Sequence, residues 1–260
     1  MRLAVGIEYD GTAYNGWQRQ KTGLGVQQRL EEALATVADH DLELTCAGRT
    51  DTGVHASGQV AHFDTTSQRS ARGWLLGANS NLPDDIALTW VTDAPADFHA
   101  RFSATARSYR YRILNRLVRS ALHRHRAWWV HQPLDADRMH AAAQALVGEH
   151  DFSAFRAAGC QASSPNRHVR SVSVTREGDW IALDITANAF LQHMVRNITG
   201  TLAAIGMGEE AVGWAADVLA SCDRTAAGIA APPQGLTLVS VEYPASLGLP
   251  AAPEPVHFSP

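Results

Sequence analysis

The chain opens with apolar residues that alternate with small or polar ones. Such alternation predicts a half-buried strand, since successive side chains of a strand point to opposite faces. The apolar members are Leu3, Val5, Ile7 and Tyr9. Asp10-Gly11-Thr12 then predicts a turn. Apolar residues at helical spacing predict a helix from about Gly25 to Asp39.

The rest of the first half also predicts a mixture of strands and helices. Two leucines, Leu42 and Leu44, begin a strand that leads into a loop, because glycines bracket the stretch Gly48 to Gly53. Further elements are expected as follows: strands at Gln59 to Phe63 and Ile86 to Val91, and a helix at Ala71 to Leu76.

The second half repeats this mixture. Tyr109, Tyr111 and Ile113 alternate with Arg110 and Arg112, which predicts a strand with an aromatic face and a cationic face. The other expected elements are a helix that Asp135 caps and that reaches about Val147, a hairpin of Val172 to Thr175 with Trp180 to Ala187, a helix from about Phe190, a helix at Val212 to Ala220, and a strand at Leu236 to Tyr243. From Pro244 the chain is rich in Pro and Ala, which predicts a draped or disordered end.

Length and composition narrow the class of protein. With 260 residues, 45% of them hydrophobic, the chain can build one sizeable core or two compact halves. It shows neither a leader-like apolar stretch at the start nor a run of roughly 18 apolar residues, so we expect a soluble, unexported protein. Its three cysteines, Cys46, Cys160 and Cys222, are far apart in the sequence and predict a reducing, cytoplasmic setting.

Charge is segregated along the chain. The net charge is −4, which by itself disfavours a polyanionic partner. Yet the stretch from Phe98 to Leu134 contains eight arginines and no Asp or Glu: Arg101, Arg107, Arg110, Arg112, Arg116, Arg119, Arg124 and Arg126. Grouped arginines can hold a phosphate backbone, or they can form a solvated face, and composition leaves both readings open.

The densest group of candidate chemical residues runs from Cys46 to Ala56. Asp51 lies in its glycine-bracketed loop, and Arg49 stands two positions before it. A neighbouring guanidinium favours an ionised carboxylate, which would suit a nucleophile. An aspartate in such a loop can equally form an Asx-turn, so this pattern alone does not choose between chemistry and structure.

Several separated segments together resemble one family, the TruA-type tRNA pseudouridine synthases. The segments, in family order, are Tyr9 to Thr12 with Gly16 to Gln20, Gly48 to Ala56, Phe98 to Arg107, Tyr109 to Tyr111, Asn188 to Phe190 with His193 to Ile198, Gly235-Leu236, and Tyr243-Pro244. Each segment is modest alone. Jointly they cover the chain from Leu3 to about Pro244.

This resemblance implies an isomerase that detaches uracil from ribose, rotates it and rejoins it through carbon, with no cofactor or metal. It implies that Asp51 is the nucleophile, attacking either the uracil ring or the ribose, a choice that the sequence leaves open. Tyr109 matches the tyrosine that stacks on the target base, and Arg196 the arginine that pairs with the aspartate. Leu236 matches the aliphatic residue that faces the base. Because a stacked uridine is unreachable, the enzyme must extrude it, and Arg49 could fill the vacated space.

The resemblance also implies an architecture and a partner. The expected fold is α+β, with two ferredoxin-like α/β halves, abutting and mainly antiparallel sheets, and a central catalytic cleft. The expected bounds are 1–105, 106–245 and a tail at 246–260. The substrate is expected to be tRNA, modified in the anticodon stem-loop at positions 38 to 40 and bound by a homodimer, with Arg101, Arg110 and Arg112 among the phosphate contacts.

Three other hypotheses for the chemistry of the chain compete with this one: a phosphatase, a zinc site and a non-catalytic RNA-binding module. The segment Glu8 to Thr12 resembles the start of haloacid dehalogenase-like phosphatases, but glutamate would replace their aspartyl nucleophile and Lys21 is the only lysine. A zinc site at His123 and His125 would need a third ligand, and the flanking arginines disfavour a cation. A non-catalytic RNA-binding module would not need the reactive residues, and a product assay would separate it from an enzyme.

Overall fold

The computed structural model describes residues 1–250, so part of the tail expected at 246–260 lies outside the described residues. The described chain is a mixed α/β protein with ten strands, mostly paired in antiparallel fashion, and five α-helices. It divides into two compact units. The first comprises residues 1–107 and the segment that begins at Leu238, and the second comprises residues 108–237.

The first unit carries a sheet covered by two helices. Its elements are β1 (Arg2–Tyr9), α1 (Val26–Ala38), β2 (Thr45–Cys46), β3 (His55–Asp64), α2 (Ala71–Asn79), β4 (Ile86–Ala94) and most of β10 (Leu236–Glu242). The strand order is β4-β1-β3, with β2 also on β3, and these pairs are antiparallel. Helix α1 connects β1 to β2, and helix α2 connects β3 to β4. Their apolar side chains are buried, and Leu30 and Leu34 of α1 and Trp74 of α2 have no exposed surface.

The second unit is built in a similar way. Its elements are β5 (Ala106–Asn115), β6 (Trp128–Val130), α3 (Ala136–Ala143), β7 (Gly148–Asp151), β8 (Asn166–Glu177), β9 (Trp180–Ala187), α4 (Met194–Gly206) and α5 (Trp214–Ser221). The strand order is β5-β9-β8-β7, and β6 pairs with β5 in parallel. The hairpin of β8 and β9 turns at Gly178, whose φ of 56° is a left-handed conformation that glycine adopts easily.

Most predicted elements are confirmed, with different bounds. Asp135 caps α3 as expected, because its carboxylate accepts a hydrogen bond from the amide of Arg138 at 3.0 Å. The expected start of α4 near Phe190 is wrong, since the helix begins at Met194 after the left-handed residue His193. The strand expected from Leu42 shrinks to the two residues of β2.

Candidate active site

Asp51 lies in the loop between β2 and β3, hereafter the Asp51 loop (residues 47–54). The loop closes on itself, because the amide of Val54 donates to the carbonyl oxygen of Asp51 at 3.1 Å. Gly53 has a φ of 76°, a conformation that strains most residues with a side chain. The neighbouring Thr50 is buried, and its hydroxyl lies 2.8 Å from the hydroxyl of Tyr9. The backbone around Asp51 is therefore held in one conformation, while the Asp51 side chain keeps partial exposure.

The segment after β1, residues 10–17, is hydrogen-bonded to the Asp51 loop. The amide of Trp17 donates to the carbonyl oxygen of Thr50 at 3.0 Å, and the amide of Gly53 donates to that of Tyr14 at 3.3 Å. Trp17 itself is buried. Two motifs that are more than thirty residues apart in the sequence thus form one structure.

Glycines make this close approach possible. A Cβ at Gly16 would lie 2.6 Å from the carbonyl oxygen of Thr50, and one at Gly11 would lie 2.0 Å from that of Val54. Gly16 also has a φ of 91°. A side chain at either position would push the Asp51 loop away from its support.

The end of β1 is anchored by further polar contacts. The amide of Gly11 donates to Nδ1 of the buried His55 at 3.0 Å, and that nitrogen lies 3.1 Å from the carboxylate of Asp10. The hydroxyl of Tyr14 donates to the carboxylate of Asp85 at 2.6 Å. The sequence pattern predicts no role for Tyr9, Tyr14 or His55. Their positions, Tyr9 and His55 within the two motifs and Tyr14 between the segments of the first, are the signal in the sequence that points to them.

Tyr109 lies on β5 in the second unit, as the alternating pattern predicts. Its ring is buried and meets the ring of Phe190 edge to face, with 4.9 Å between the centroids. Tyr111, on the same face of the strand, is fully buried and donates its hydroxyl to the carbonyl oxygen of Pro232 at 2.6 Å. Burial raises the pKa of Tyr111 well above its usual value, and the nearby charge of Arg196 acts in the opposite direction.

Arg196 stands in the first turn of α4. Its Nε donates to the carbonyl oxygen of Ala231 at 2.7 Å, and the amide of Ala231 donates back to the carbonyl oxygen of Arg196 at 3.0 Å. The neighbouring residues Val195 and Ile198 are buried, as the apolar pattern of this helix predicts. This reciprocal pair fixes the base of the guanidinium group. Leu236, which follows Ala231 by five residues, is the first residue of β10 and is buried.

The predicted RNA-contact arginines have three different environments. Arg110 forms a two-bond ion pair with Asp184, Nε to Oδ1 at 2.7 Å and Nη2 to Oδ2 at 3.1 Å. Arg112 is partly buried, and this burial followed by the charge of Arg110 lowers its pKa. Arg101 and Arg49 are exposed.

The two units hold different parts of the predicted site. Asp51, Arg49 and Arg101 belong to the first unit. The second unit contains the other predicted site residues, namely Tyr109, Arg110, Arg112, Arg196 and Leu236. Within the second unit, Tyr111 of β5 and Arg196 of α4 donate to neighbouring carbonyl oxygens, those of Pro232 at 2.6 Å and Ala231 at 2.7 Å, so the two side chains lie near each other.

Among residues 1–250 there is no group of three or more His, Cys, Asp or Glu side chains that could hold a metal ion. His123, one of the two residues of the zinc hypothesis, packs its ring edge to face with Trp180 at 4.9 Å. None of the helices in the described part of the chain has the length and apolar character needed to cross a membrane.

Comparison with known proteins reveals a clear similarity. The model of the tRNA pseudouridine synthase family matches residues 6–103 and 142–244. A protein of Hydrogenovibrio crunogenus named tRNA pseudouridine synthase A is 56% identical over 248 residues, which cover 95% of each chain. Proteins of the same name from Aeromonas hydrophila and Klebsiella pneumoniae (strain 342) are 56% and 54% identical, with 97% of this chain and 94% and 93% of theirs covered.

Proposed function

The chain belongs to the tRNA pseudouridine synthase family and isomerises uridine to pseudouridine in tRNA, and from this premise we propose that Asp51 is its nucleophile and that its targets lie in the anticodon stem-loop. The single observation that supports the role of Asp51 best is the loop itself. Its backbone is fixed by Trp17, Tyr14 and Val54, yet the carboxylate stays partly exposed. A preorganised nucleophile loses little orientational freedom in the transition state.

The net reaction exchanges one glycosidic bond for another. The bond from N1 of uracil to C1′ of ribose breaks, a bond from C5 to C1′ forms, C5 loses a proton and N1 gains one. Substrate and product have the same atoms, so the overall reaction consumes no oxidant and no group donor. In the proposed reaction the carboxylate of Asp51 forms a covalent bond to either the uracil ring or C1′, and this bond breaks again before the product leaves.

Tyr109 and Arg196 complete the proposed catalytic set. Tyr109, packed against Phe190, offers an aromatic ring of fixed orientation on which the target base can stack. Arg196 supplies positive charge from a rigid position, and a carboxylate nucleophile in a partly desolvated site requires such charge. Leu236 is proposed to face the base, and Arg49 to fill the space that the extruded uridine leaves.

We propose that the modified uridines lie at positions 38 to 40 of the anticodon stem-loop and that Arg101, Arg110 and Arg112 contact phosphates of the tRNA. The grouping of arginines, four of which lie within residues 101–112, supports the phosphate contacts. We also propose a cytoplasmic homodimer. Three free thiols, Cys46, Cys160 and Cys222, are compatible with a reducing compartment.

For the fold, we propose that each unit is a ferredoxin-like half. In the first unit the order β4-β1-β3-β2, the antiparallel pairing and one helix after β1 and after β3 support this. In the second unit, the order β5-β9-β8 with α3 after β5 and α4 after β9 follows the same scheme. A solved crystal structure would test it.

The decisive experiment incubates the purified protein with unmodified tRNA and maps pseudouridine at each nucleotide. We expect modification confined to positions 38 to 40, and a tRNA that carries cytidine at those three positions should receive none. Modification at other positions would refute the anticodon-stem proposal. Absence of any product in a folded preparation that binds tRNA would instead favour the non-catalytic RNA-binding module.

A matched pair of variants tests the proposed role of Arg196. Arg196→Lys keeps a cation but lacks the planar fork, so we expect partial activity, whereas Arg196→Met should lose most of it. Binding of tRNA should change less than turnover in both. Near wild-type turnover by folded Arg196→Met would remove Arg196 from the catalytic set.

A further inference from the structure

A tight turn at residues 98–103 presents an aromatic ring to solvent. Phe102 is 75% exposed, more than any other exposed large aromatic side chain among residues 1–250. Exposure of a large ring opposes the hydrophobic effect, and a rigid exposed ring commonly marks a contact surface. Neither Phe102 nor His99 has a part in the catalytic set proposed above.

The turn is held rigidly by its own polar groups. The amide of Ser103 donates to the carbonyl oxygen of His99 at 2.8 Å, and the amide of His99 donates to the hydroxyl of Ser103 at 3.0 Å. Nδ1 of His99 accepts from the amides of Arg101 and Phe102 at 3.2 and 3.3 Å. These contacts fix the imidazole ring beneath Phe102.

His99 and Phe102 together make a two-ring stack. Their ring centroids lie 4.3 Å apart, and the planes are inclined by 35°. The guanidinium carbon of Arg101 lies 5.5 Å from the centroid of the Phe102 ring, within the range of a cation–π contact. We call these three side chains the Phe102 platform.

The platform is anchored to the core of the first unit on two sides. The amide of Ala100 donates to Nδ1 of the buried His62 at 3.1 Å, and the hydroxyl of Tyr243 donates to the carbonyl oxygen of Ala100 at 2.6 Å. The aromatic contacts of His62 with Phe98 and of Phe98 with Tyr243 extend this support. An exposed ring on such a base keeps its position when a partner binds, so little orientational entropy is lost.

A buried arginine connects the platform to the Asp51 loop. Nη2 of Arg107 donates to the carbonyl oxygen of Arg101 at 2.6 Å and to that of Ala47, the first residue of the loop, at 3.0 Å. One side chain therefore holds both segments at a fixed separation within the first unit. A ligand that contacts the platform is placed relative to the Asp51 loop.

The chemistry of the platform favours an RNA base over a protein side chain. Stacking of an unpaired base needs an accessible aromatic ring and a nearby cation for the phosphate. Phe102 is 75% exposed, and the guanidinium of Arg101 lies beside its ring. Aromatic residues and arginine are also common in protein interfaces, so the preference for RNA rests on the stretch from Phe98 to Leu134, which contains no acidic residue, and on the tRNA substrate of the enzyme.

We propose that the Phe102 platform stacks on an unpaired base of the bound tRNA and so positions the substrate with respect to the Asp51 loop. This inference rests on the proposed function, because it takes tRNA as the ligand. It assigns to Phe102 the base contact, to Arg101 the adjacent phosphate, and to His99 the support of the ring.

The test compares three variants in equilibrium binding to an anticodon stem-loop hairpin. Loss of one base-stacking contact weakens binding by about tenfold or more, so we expect this for Phe102→Ala, while Phe102→Trp should stay near wild type. The matched control is Leu122→Ala, which removes an exposed apolar side chain, 87% accessible, from the same arginine-rich stretch. It should bind like wild type. The slope of log affinity against log salt should be unchanged by Phe102→Ala and should fall by about one unit in Arg101→Gln.

A second measurement locates the stacked base. Hairpins that carry 2-aminopurine at one unpaired position at a time should show, at one position, a change in fluorescence on binding that wild type and Phe102→Trp produce and Phe102→Ala does not. Unchanged affinity and an unchanged fluorescence response in Phe102→Ala would overturn the proposal. Weaker binding together with a shift to monomer in sedimentation would overturn it in favour of a contact between two copies of the chain. Pseudouridine formation by the wild type, measured separately, decides the proposed function independently of these outcomes.

Discussion

The Asp51 loop and the arginine-rich stretch from Arg101 to Arg126 obtain their properties in opposite ways. In the loop, the backbone is fixed by amides, carbonyls and close glycine contacts, and the Asp51 side chain is partly exposed. In the arginine-rich stretch, arginine recurs along a strand and the turns on either side of it, and the surroundings of each guanidinium differ. Arg107 is buried, Arg110 is paired with Asp184, and Arg119 is exposed.

The type of a residue therefore indicates its chemical role only when the surroundings of its side chain are known. A cluster of arginines looks uniform in the sequence, although one member holds the structure together and others are available for phosphate. The Asp51 loop looks equally uncertain in isolation, but its neighbours along the chain already contain the glycines that its geometry needs.

Asp51→Asn should abolish pseudouridine formation. The amide keeps the shape of the side chain but is not a nucleophile, and the loop is held by backbone contacts that the substitution leaves intact. Turnover is measured with tRNA under single-turnover conditions, and affinity by filter binding. We expect affinity within a few-fold of wild type. Measurable turnover by a preparation free of wild-type enzyme would show that Asp51 is not the nucleophile.

Gly16→Ala should lower turnover by about 100-fold, because the new Cβ would lie 2.6 Å from the carbonyl oxygen of Thr50 and displace the adjacent Asp51, the proposed nucleophile. The measurement is the rate at saturating tRNA. The control is Gly178→Ala, which also has a positive φ, 56°, but meets no atom within 4 Å. It shares the backbone strain and lacks the clash. Equal losses in the two variants would attribute the effect to strain alone.

Arg107→Met should destabilise the protein by about 3 kcal/mol, since it removes a buried cation and leaves carbonyl oxygens without their donor. Those oxygens belong to Ala47, Arg101 and Ala104. Chemical denaturation gives the free energy of unfolding. The matched variant Arg119→Met changes an exposed arginine of the same stretch and should stay within about 0.5 kcal/mol of wild type. Similar values for both would show that burial does not distinguish these arginines.

Arg110→Gln should weaken tRNA binding across different tRNAs and reduce the salt slope by about one unit, as expected for a lost phosphate contact. Asp184→Asn provides the complementary change, because it removes the carboxylate that neutralises Arg110. We expect it to strengthen binding. If neither variant alters the slope or the affinity, the ion pair between Arg110 and Asp184 is purely structural.

His62→Asn should reduce the loss of stability at acid pH. Burial, with the charges of Arg2 and His99, lowers the pKa of His62 from 6.5 to about 4. The unfolded chain therefore takes up this proton at higher pH than the folded protein, so wild type loses stability as the pH falls from 6.5 towards 4. Asparagine can still accept from the amide of Ala100 but does not titrate. Unfolding free energies at several pH values should show a shallower decline in the variant, and parallel curves would contradict the assignment.

Much of the secondary structure followed from local patterns. The alternation of apolar and polar residues predicted β1 and the aromatic face of β5, and apolar residues at helical spacing predicted α1 close to its observed bounds. The failures have a common physical cause. The parallel strand β6, Trp128–Val130, is stabilised by β5, which its own three residues do not reveal. Likewise α4 begins directly after His193, whose left-handed conformation is uncommon for a residue other than glycine and is not indicated by the local apolar pattern.

The sequence was enough to indicate the family and to propose Asp51 and its loop as the reactive site, because Asp51 and its bracketing glycines are close together in the chain. The contacts that support that loop and the different surroundings of the arginines became known only from the folded structure. Tyr9 and Thr50 meet across forty-one residues, and Arg107 reaches Ala47 across sixty. Such contacts depend on how strands pair and pack, and the free energy that fixes them comes from burial and hydrogen bonds that no local window of sequence contains.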